Sequence, residues 1–245
     1  MIRLPARKTS LLEAAIFHAL VRPALRRAFH RVALTGPSPA SDLPLLIYSN
    51  HPSWWDGYIA FLLARAVWRH DGYLMMEEPQ LRRYSFFRYC GVFGVDRRQP
   101  RQGWQAVRYA AALLDRPARL VWIFPQGVIT PNDRRPLVTF SGAAHIACLA
   151  APVRCLPVAL RFEFLQEQRP EALVRVGTAH VVVPETSPRA LHREMDARLT
   201  AELDALREDV LRGATATYAT VLNGRASVNV RWDRWRARLL RRPRR

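Results

Sequence analysis

The sequence predicts an α/β fold: a mixed, mostly parallel central sheet flanked by helices, with an N-terminal amphipathic helix ahead of it. Strand and helix patterns alternate from Leu45 to Val183, the rhythm of crossovers that cover a sheet. Candidate strands such as Leu45–Tyr48 and Leu120–Phe124 are unbroken apolar runs, as strands buried on both faces are. The chain has 245 residues, 49% of them hydrophobic. That suffices for one α/β domain with a substantial core and is short for two.

The elements follow in order. Residues 10–31 read as a helix with Ser10 as N-cap, Leu12, Ile16, Ala19 and Leu20 on one face, and Arg22, Arg26, Arg27 and Arg31 in its second half. Pro23 should kink it. Such a helix suits a membrane interface; an ordinary packed helix with a solvated basic face fits equally well. The Pro- and Ser-containing stretch Gly36–Pro44 is a linker to the first strand, Leu45–Tyr48. Gly72–Met76 is read as the second strand, Pro79–Arg88 as a short helix and Gly91–Val95 as a third strand. Trp104, Val107, Ala111 and Leu114 recur at steps of three and four, which makes Gln102–Leu114 an amphipathic helix. Leu120–Phe124 is a strand, Phe140–Ala150 a helix, and Cys155–Leu160 and Leu173–Val183 are later strands. Ser187-Pro188 is an N-cap and N1 pair. The helix it starts carries Leu191, Met195, Leu199, Leu203, Leu206 and Val210 on one face and ends at Gly213. The chain thus divides into an N-terminal helix and linker (1–42), an α/β domain (43–213) and a basic tail (214–245).

Charge narrows the partners. The formal net charge is +18, and Lys8 is the one lysine. Arginine stays charged at ordinary pH and grips phosphate with a planar fork, so the chain suits anionic surroundings; an arginine-biased genome would produce the same excess. No run of about 18 apolar residues is present, so no spanning helix is expected. Glu13, His18 and Arg22 interrupt any signal-peptide core, which points to a cytoplasmic protein, peripheral on the inner face of the membrane. The tail from Arg231 holds eight arginines, with Trp232, Trp235 and Leu239 at helical steps. It suits an anionic bilayer or nucleic acid, or is simply solvated. Cys90, Cys148 and Cys155 form no CxxC pair and are read as reduced thiols, with no metal site.

The chemistry gathers where the first strand empties into Ser49-Asn50-His51-Pro52-Ser53-Trp54-Trp55-Asp56. A loop beyond the end of a buried strand, with a helix behind it, is where α/β proteins place reactive groups. With His51 in the loop and Asp56 in the first helical turn, the carboxylate would fold back to one imidazole nitrogen and leave the other free as a base. The alternative is a structural histidine at a helix start. No GxSxG elbow is present, so no acyl-enzyme nucleophile is evident.

Four segments in order resemble the glycerol-phosphate / 1-acylglycerol-3-phosphate acyltransferase superfamily. They are Asn50-His51 with Asp56, Gly91-Val92-Phe93-Gly94-Val95-Asp96-Arg97, Phe124-Pro125-Gln126-Gly127, and Leu156-Pro157-Val158-Ala159-Leu160, preceded by the small-residue stretch Ser141–Ala144. The resemblance covers roughly residues 43–165. It implies transfer of a fatty acyl group from acyl-CoA or acyl-carrier protein to a hydroxyl of a lipid acceptor, without a cofactor. It further implies His51 as general base, Asp56 as its orienting acid, Arg97 on acceptor phosphate and Gly127 as a point of close backbone approach. Asn50, Gly91, Phe124, Pro125 and Gln126 belong to the same implied substrate site. The implied partners are the membrane with its anionic lipid, the acyl donor and the lipid acceptor; nucleic acid binding would leave the His–Asp loop unexplained.

Two departures bear on the acceptor. Gln126 stands where the family usually has glutamate, and Val128-Ile129-Thr130 replaces a polar run that usually holds an arginine. An amide keeps the size, loses the charge and adds a donor. A missing guanidinium weakens phosphate binding unless Arg134 or Arg135 replaces it. A glycolipid, carotenoid glycoside or other neutral alcohol is therefore an alternative acceptor, and a lipid-binding homologue without turnover is a third reading.

Overall fold

The computed structural model describes residues 2–225, 228, 232 and 235–237. Nine strands form one sheet, β1 (Arg31–Thr35), β2 (Leu45–Ser49), β3 (Asp71–Glu77), β4 (Val92–Val95), β5 (Arg119–Ile123), β6 (Val153–Glu163), β7 (Glu171–Val176), β8 (His180–Val182) and β9 (Ala219–Asn223). The strand order is β4-β3-β5-β2-β6-β7-β1-β9, with β8 also on β6. The pairs β3/β4, β3/β5, β2/β5, β2/β6 and β1/β7 are parallel, whereas β6/β7, β6/β8 and β1/β9 are antiparallel. The sheet is mixed and mostly parallel, as the alternation predicts.

Strand β2 lies at the centre and all five of its residues are buried. Side chains alternate across a strand: Leu45 and Ile47 enter one core and Leu46 and Tyr48 the other. The first core receives α1 (Ser10–Ile16), α2 (Arg22–Ala28) and α3 (Asp56–Leu62) through Ile16, Leu25 and Ile59. The second receives α5 (Pro100–Leu113), α6 (Gly142–Ala150) and α7 (Pro188–Leu211) through Ala110, Ala147 and Leu199. Burying each such Leu or Ile contributes about 1.5–3 kcal/mol, so β2 is fixed from both faces. The remaining helix, α4 (Glu78–Arg83), seats Leu81 in the first core.

Several boundaries differ from the sequence reading. The first helix ends at Ala28, and Arg31 opens β1. A π-turn at Phe17–Val21 joins α1 to α2 immediately before Pro23, whose missing N–H leaves a backbone acceptor free there. Thr9, not Ser10, stands at the N-cap, without a side-chain bond. The buried face is Phe17, Val21, Leu25 and Phe29, while Leu11, Leu12 and Leu20 are exposed. Pro79–Arg88 is not one helix: α4 gives way to a 3₁₀ segment at Ser85–Cys90. Leu173–Val183 is two strands, β7 and β8. Helix α7 ends as expected before Gly213, which has φ +68°; five of its six expected core residues are buried, and Val210 is half-buried.

The division at residues 42 and 213 does not match the sheet, because β1 and β9 come from the flanks and pair with each other. The expected helix in the tail from Arg231 falls largely outside the described residues; Trp232 and Trp235 are described, exposed, with ring centroids 5.0 Å apart.

Candidate active site

The carboxyl ends of β2, β3, β4 and β5 lie along one edge of the parallel half of the sheet, and the loops leaving them build the site. At the end of β2, the Asn50 amide replaces backbone pairing. Its Oδ1 accepts from Leu160 N at 2.8 Å and its Nδ2 donates to Leu160 O at 2.8 Å. Asn50 also reaches Asn132 Oδ1 at 3.2 Å. Strand β2 is thereby stapled to β6 one residue beyond its last backbone partner, and the chain is released at His51.

Helix α3 starts five residues later, at Asp56. Trp55 N donates to Ser53 Oγ at 3.2 Å, and Ser53 N donates to Asp56 Oδ2 at 2.9 Å. The acid reaches back to the start of the turn as in a capping box. The same Oδ2 lies 2.6 Å from His51 Nδ1. Asp56 is fully buried, its Oδ1 without a hydrogen bond. Burial pushes its carboxyl above the usual range, while the bonds from His51 and the Ser53 N–H pull the other way. The His51 side chain is 23% exposed, and its Nε2 has no protein partner among the described residues. Phe124 stacks on the ring at 4.6 Å and 17°, which fixes its plane.

The Phe124–Gly127 turn follows β5 and is closed by Gly127 N donating to Phe124 O at 2.9 Å. Gln126 is 5% exposed, and its Oε1 accepts the His51 backbone N–H at 2.8 Å. Thr130 N in turn donates to His51 O at 2.8 Å. The third segment thus clamps the backbone of the first. Gly127 has φ +67°, and a Cβ there would collide with the Arg97 guanidinium. Arg97 pairs with Glu77 at the end of β3 and lies over the Phe140 ring, 5.1 Å from its centroid.

Beside the His51 loop is a cleft of about 270 Å³ whose walls include Arg97, Gln126, Thr130, Arg134, Val138 and Phe140. His51 stands at its edge, bonded to two of these residues. Val128, Ile129, Val138, Phe140 and, beyond them, Trp54 are exposed apolar side chains on loops at this edge.

Residues 31–161 match the family model named Acyltransferase. The chain belongs to the acyltransferase family. Among solved structures, this acyltransferase is similar to the 1-acyl-sn-glycerophosphate (LPA) acyltransferase PlsC from Thermotoga maritima. The identity is 16% and the TM-score 0.54, over 80% of this chain and 77% of that one. At that identity the likeness concerns the fold. No curated protein matches the chain.

The acyltransferase brings together eight of its nine sequence-predicted site residues, namely Asn50, His51, Asp56, Arg97, Phe124, Pro125, Gln126 and Gly127. Gly91 lies at the opposite end of β4. Its φ of +90° turns the chain out of the 3₁₀ segment, and a Cβ would meet Gly72 O, so its place is structural. Reading the sequence missed Glu77, Thr130 and Phe140. Glu77-Glu78, two acids closing an apolar strand, was a signal; the other two carry none that spacing reveals. Among the described residues no helix is long and apolar enough to cross a membrane.

Proposed function

We propose that this acyltransferase moves a fatty acyl group from a thioester, acyl-CoA or acyl-carrier protein, to the hydroxyl of a lipid acceptor. His51 serves as general base and Asp56 orients it. The observation that carries the reading is the 2.6 Å contact between His51 Nδ1 and the buried Asp56 Oδ2, with Nε2 left unpaired at the cleft's edge. Nε2 takes the acceptor's proton as its oxygen attacks the thioester carbonyl. The C–S bond then breaks, and the proton passes to the departing thiolate. Asp56 stabilises the transient imidazolium. General-base catalysis of this kind contributes about 10²–10⁴ in rate, roughly 3–5 kcal/mol of barrier.

The work takes place on the inner face of an anionic membrane, with the protein peripheral to it. Supporting this are the net charge of +18, the exposed Leu11, Leu12 and Leu20 beside Arg22, Arg26 and Arg27, and the apolar side chains around the cleft. No resident cofactor is required.

The test is incubation with long-chain acyl-CoA and a panel of lipid alcohols, followed by mass spectrometry of lipids and intact protein. The expected result is an acylated lipid, equimolar free CoA and an unmodified protein mass. An acyl adduct on the protein would replace direct attack with a two-step route. Donor binding without product for any acceptor or donor would make the protein a lipid-binding homologue.

A further inference from the structure

Residues 124–141 form a stretch without helix or strand that walls the cleft. Loops of that length in a compact domain are uncommon and tend to carry function, and this one is tied down. Val138 and Phe140 are exposed on the cleft, while the hydroxyl of Thr139, between them, meets α7. Thr139 Oγ1 lies 2.6 Å from Asp196 Oδ1 and 2.8 Å from His192 Nε2. His192 and Asp196 are one turn apart on the same face of α7, with Nε2 3.5 Å from Asp196 Oδ2.

Threonine, histidine and aspartate are also the residue types of a nucleophile with its base. The bond directions decide between the two roles. Two oxygens 2.6 Å apart need a proton between them, and an ionised aspartate only accepts, so the hydroxyl supplies it. That proton is committed to Asp196. His192 must then donate its Nε2–H to Thr139 Oγ1, and a ring that donates to a hydroxyl does not take its proton. The cluster holds the loop; it does not activate Thr139.

The next residue carries the tie to the site. Phe140 N donates to Pro125 O at 2.8 Å, and the Phe140 ring lies beneath the Arg97 guanidinium. Pro125 is the second residue of the turn whose first residue, Phe124, stacks on the His51 ring and whose third, Gln126, accepts the His51 N–H. Two consecutive residues thus connect α7 to the turn that sets the plane of that ring.

We propose that Thr139 is a positioning residue: gripped by His192 and Asp196, it fixes Phe140, and through Phe140 the Phe124–Gly127 turn against which His51 is set. The consequence for catalysis rests on the function given above, with His51 as the base; the geometry is readable without turnover.

The experiment compares wild type, Thr139→Val, Thr139→Ser, Asp196→Ala and Asp204→Asn. Valine keeps the shape and removes the hydroxyl, serine keeps the hydroxyl, and Asp196→Ala breaks the same tie from α7. Asp204→Asn loosens the same loop at Arg135 and leaves Thr139 untouched. The first readout is the imidazole Cε1–H signal of His51 in NMR spectra, assigned by its loss in His51→Ala. Phe124 stacks on that ring, so its ring current sets the signal's position. Thr139→Val and Asp196→Ala should shift it; Thr139→Ser and Asp204→Asn should not. The second readout is acyl transfer from palmitoyl-CoA to lysophosphatidic acid. Thr139→Val should lower kcat about 10–10²-fold, the effect of a small misplacement, with Thr139→Ser and Asp204→Asn near wild type and the midpoints of Thr139→Val and Asp204→Asn alike. A His51 signal unmoved by Thr139→Val and Asp196→Ala, a shift shared by Asp204→Asn, or a shifted signal with kcat unchanged each overturn the proposal. So does an acyl adduct on Thr139. Where no variant and no wild type turns over, the predicted pattern of shifts still supports the positioning, and the role of His51 as base is what fails.

Discussion

Asp56 illustrates a side chain whose place is costly. A carboxyl with no exposure and one unpaired oxygen draws all its hydrogen bonding from what faces its other oxygen. Because burial raises its pKa in the folded state above the ordinary 3.8, the folded protein binds that proton more tightly than the unfolded chain. Stability from this group is therefore greatest at low pH and falls as pH rises through that window. Asp56→Asn removes the ionisation. Its amide oxygen still accepts from His51 and Ser53, and its nitrogen replaces the oxygen that has no partner. The expected outcome is a thermal midpoint at pH 7 equal to or above wild type, with acyl transfer lowered about 10²–10⁴-fold; calorimetry and a thiol-release assay read the two quantities. Gly127→Ala acts differently, since a side chain at φ +67° meets Arg97. Left-handed backbone costs a non-glycine residue about 1–2 kcal/mol, so the midpoint should drop by about 2–8 °C. The His51–Asp56 contact was legible in the sequence because the spacing allows a loop histidine to meet the first helical turn and the resemblance of four ordered segments pointed to the same pair. The job of Gln126 was not, because a side chain that holds a backbone N–H 75 positions away leaves no local pattern.

At the scale of elements, the long buried runs and strongly periodic helices were legible, and the short edge pieces were not. Strand β9 buries only Leu222, so it offers no alternation to read. Strand β1 follows Arg26 and Arg27 so closely that its Arg31 reads as one more helical arginine. The segment before α1 carries no periodicity, yet it lines the edge of β4: Leu4 O accepts from Gly94 N at 2.9 Å, and Arg7 N donates to Arg88 O at 2.8 Å. Lys8 anchors it, 2.8 Å from Asp71 and 3.2 Å from Glu13. Burial would raise the Asp71 pKa, but Lys8, Arg119 and Arg116 outweigh it and hold the carboxyl below 3.8. That contribution is full above pH 3.8 and is lost as pH falls through the lower folded value. Lys8→Met should cost about 1 kcal/mol at neutral pH, or about 2–4 °C, and expose residues 2–9 to proteolysis. The gap from wild type should close in acid, where Asp71 is protonated; a gap that persists there would assign the loss to packing.

For the whole molecule, charge and shape point to a surface. In the proposed membrane-surface role, the net charge of +18 would favour anionic lipid by about 1 kcal/mol per basic residue close to the headgroups. Exposed leucines on α1 and apolar side chains around the cleft would supply the shorter-range attraction in that role. Sedimentation with vesicles containing phosphatidylglycerol should therefore exceed sedimentation with neutral phosphatidylcholine vesicles and weaken as salt rises. Equal partition to both would remove the electrostatic part of the account. The parallel half of the sheet sets the scale of the site: the ends of its strands deliver His51, Asp56, Glu77, Arg97 and the clamping Gln126 amide to one edge.

The most direct measurement is the single-turnover rate of acyl transfer from acyl-CoA to lysophosphatidic acid by wild type and by His51→Ala, both shown folded by calorimetry. A fall of about 10²–10⁴ with donor binding intact is the result predicted for a lost general base. Turnover by His51→Ala equal to wild type would contradict it.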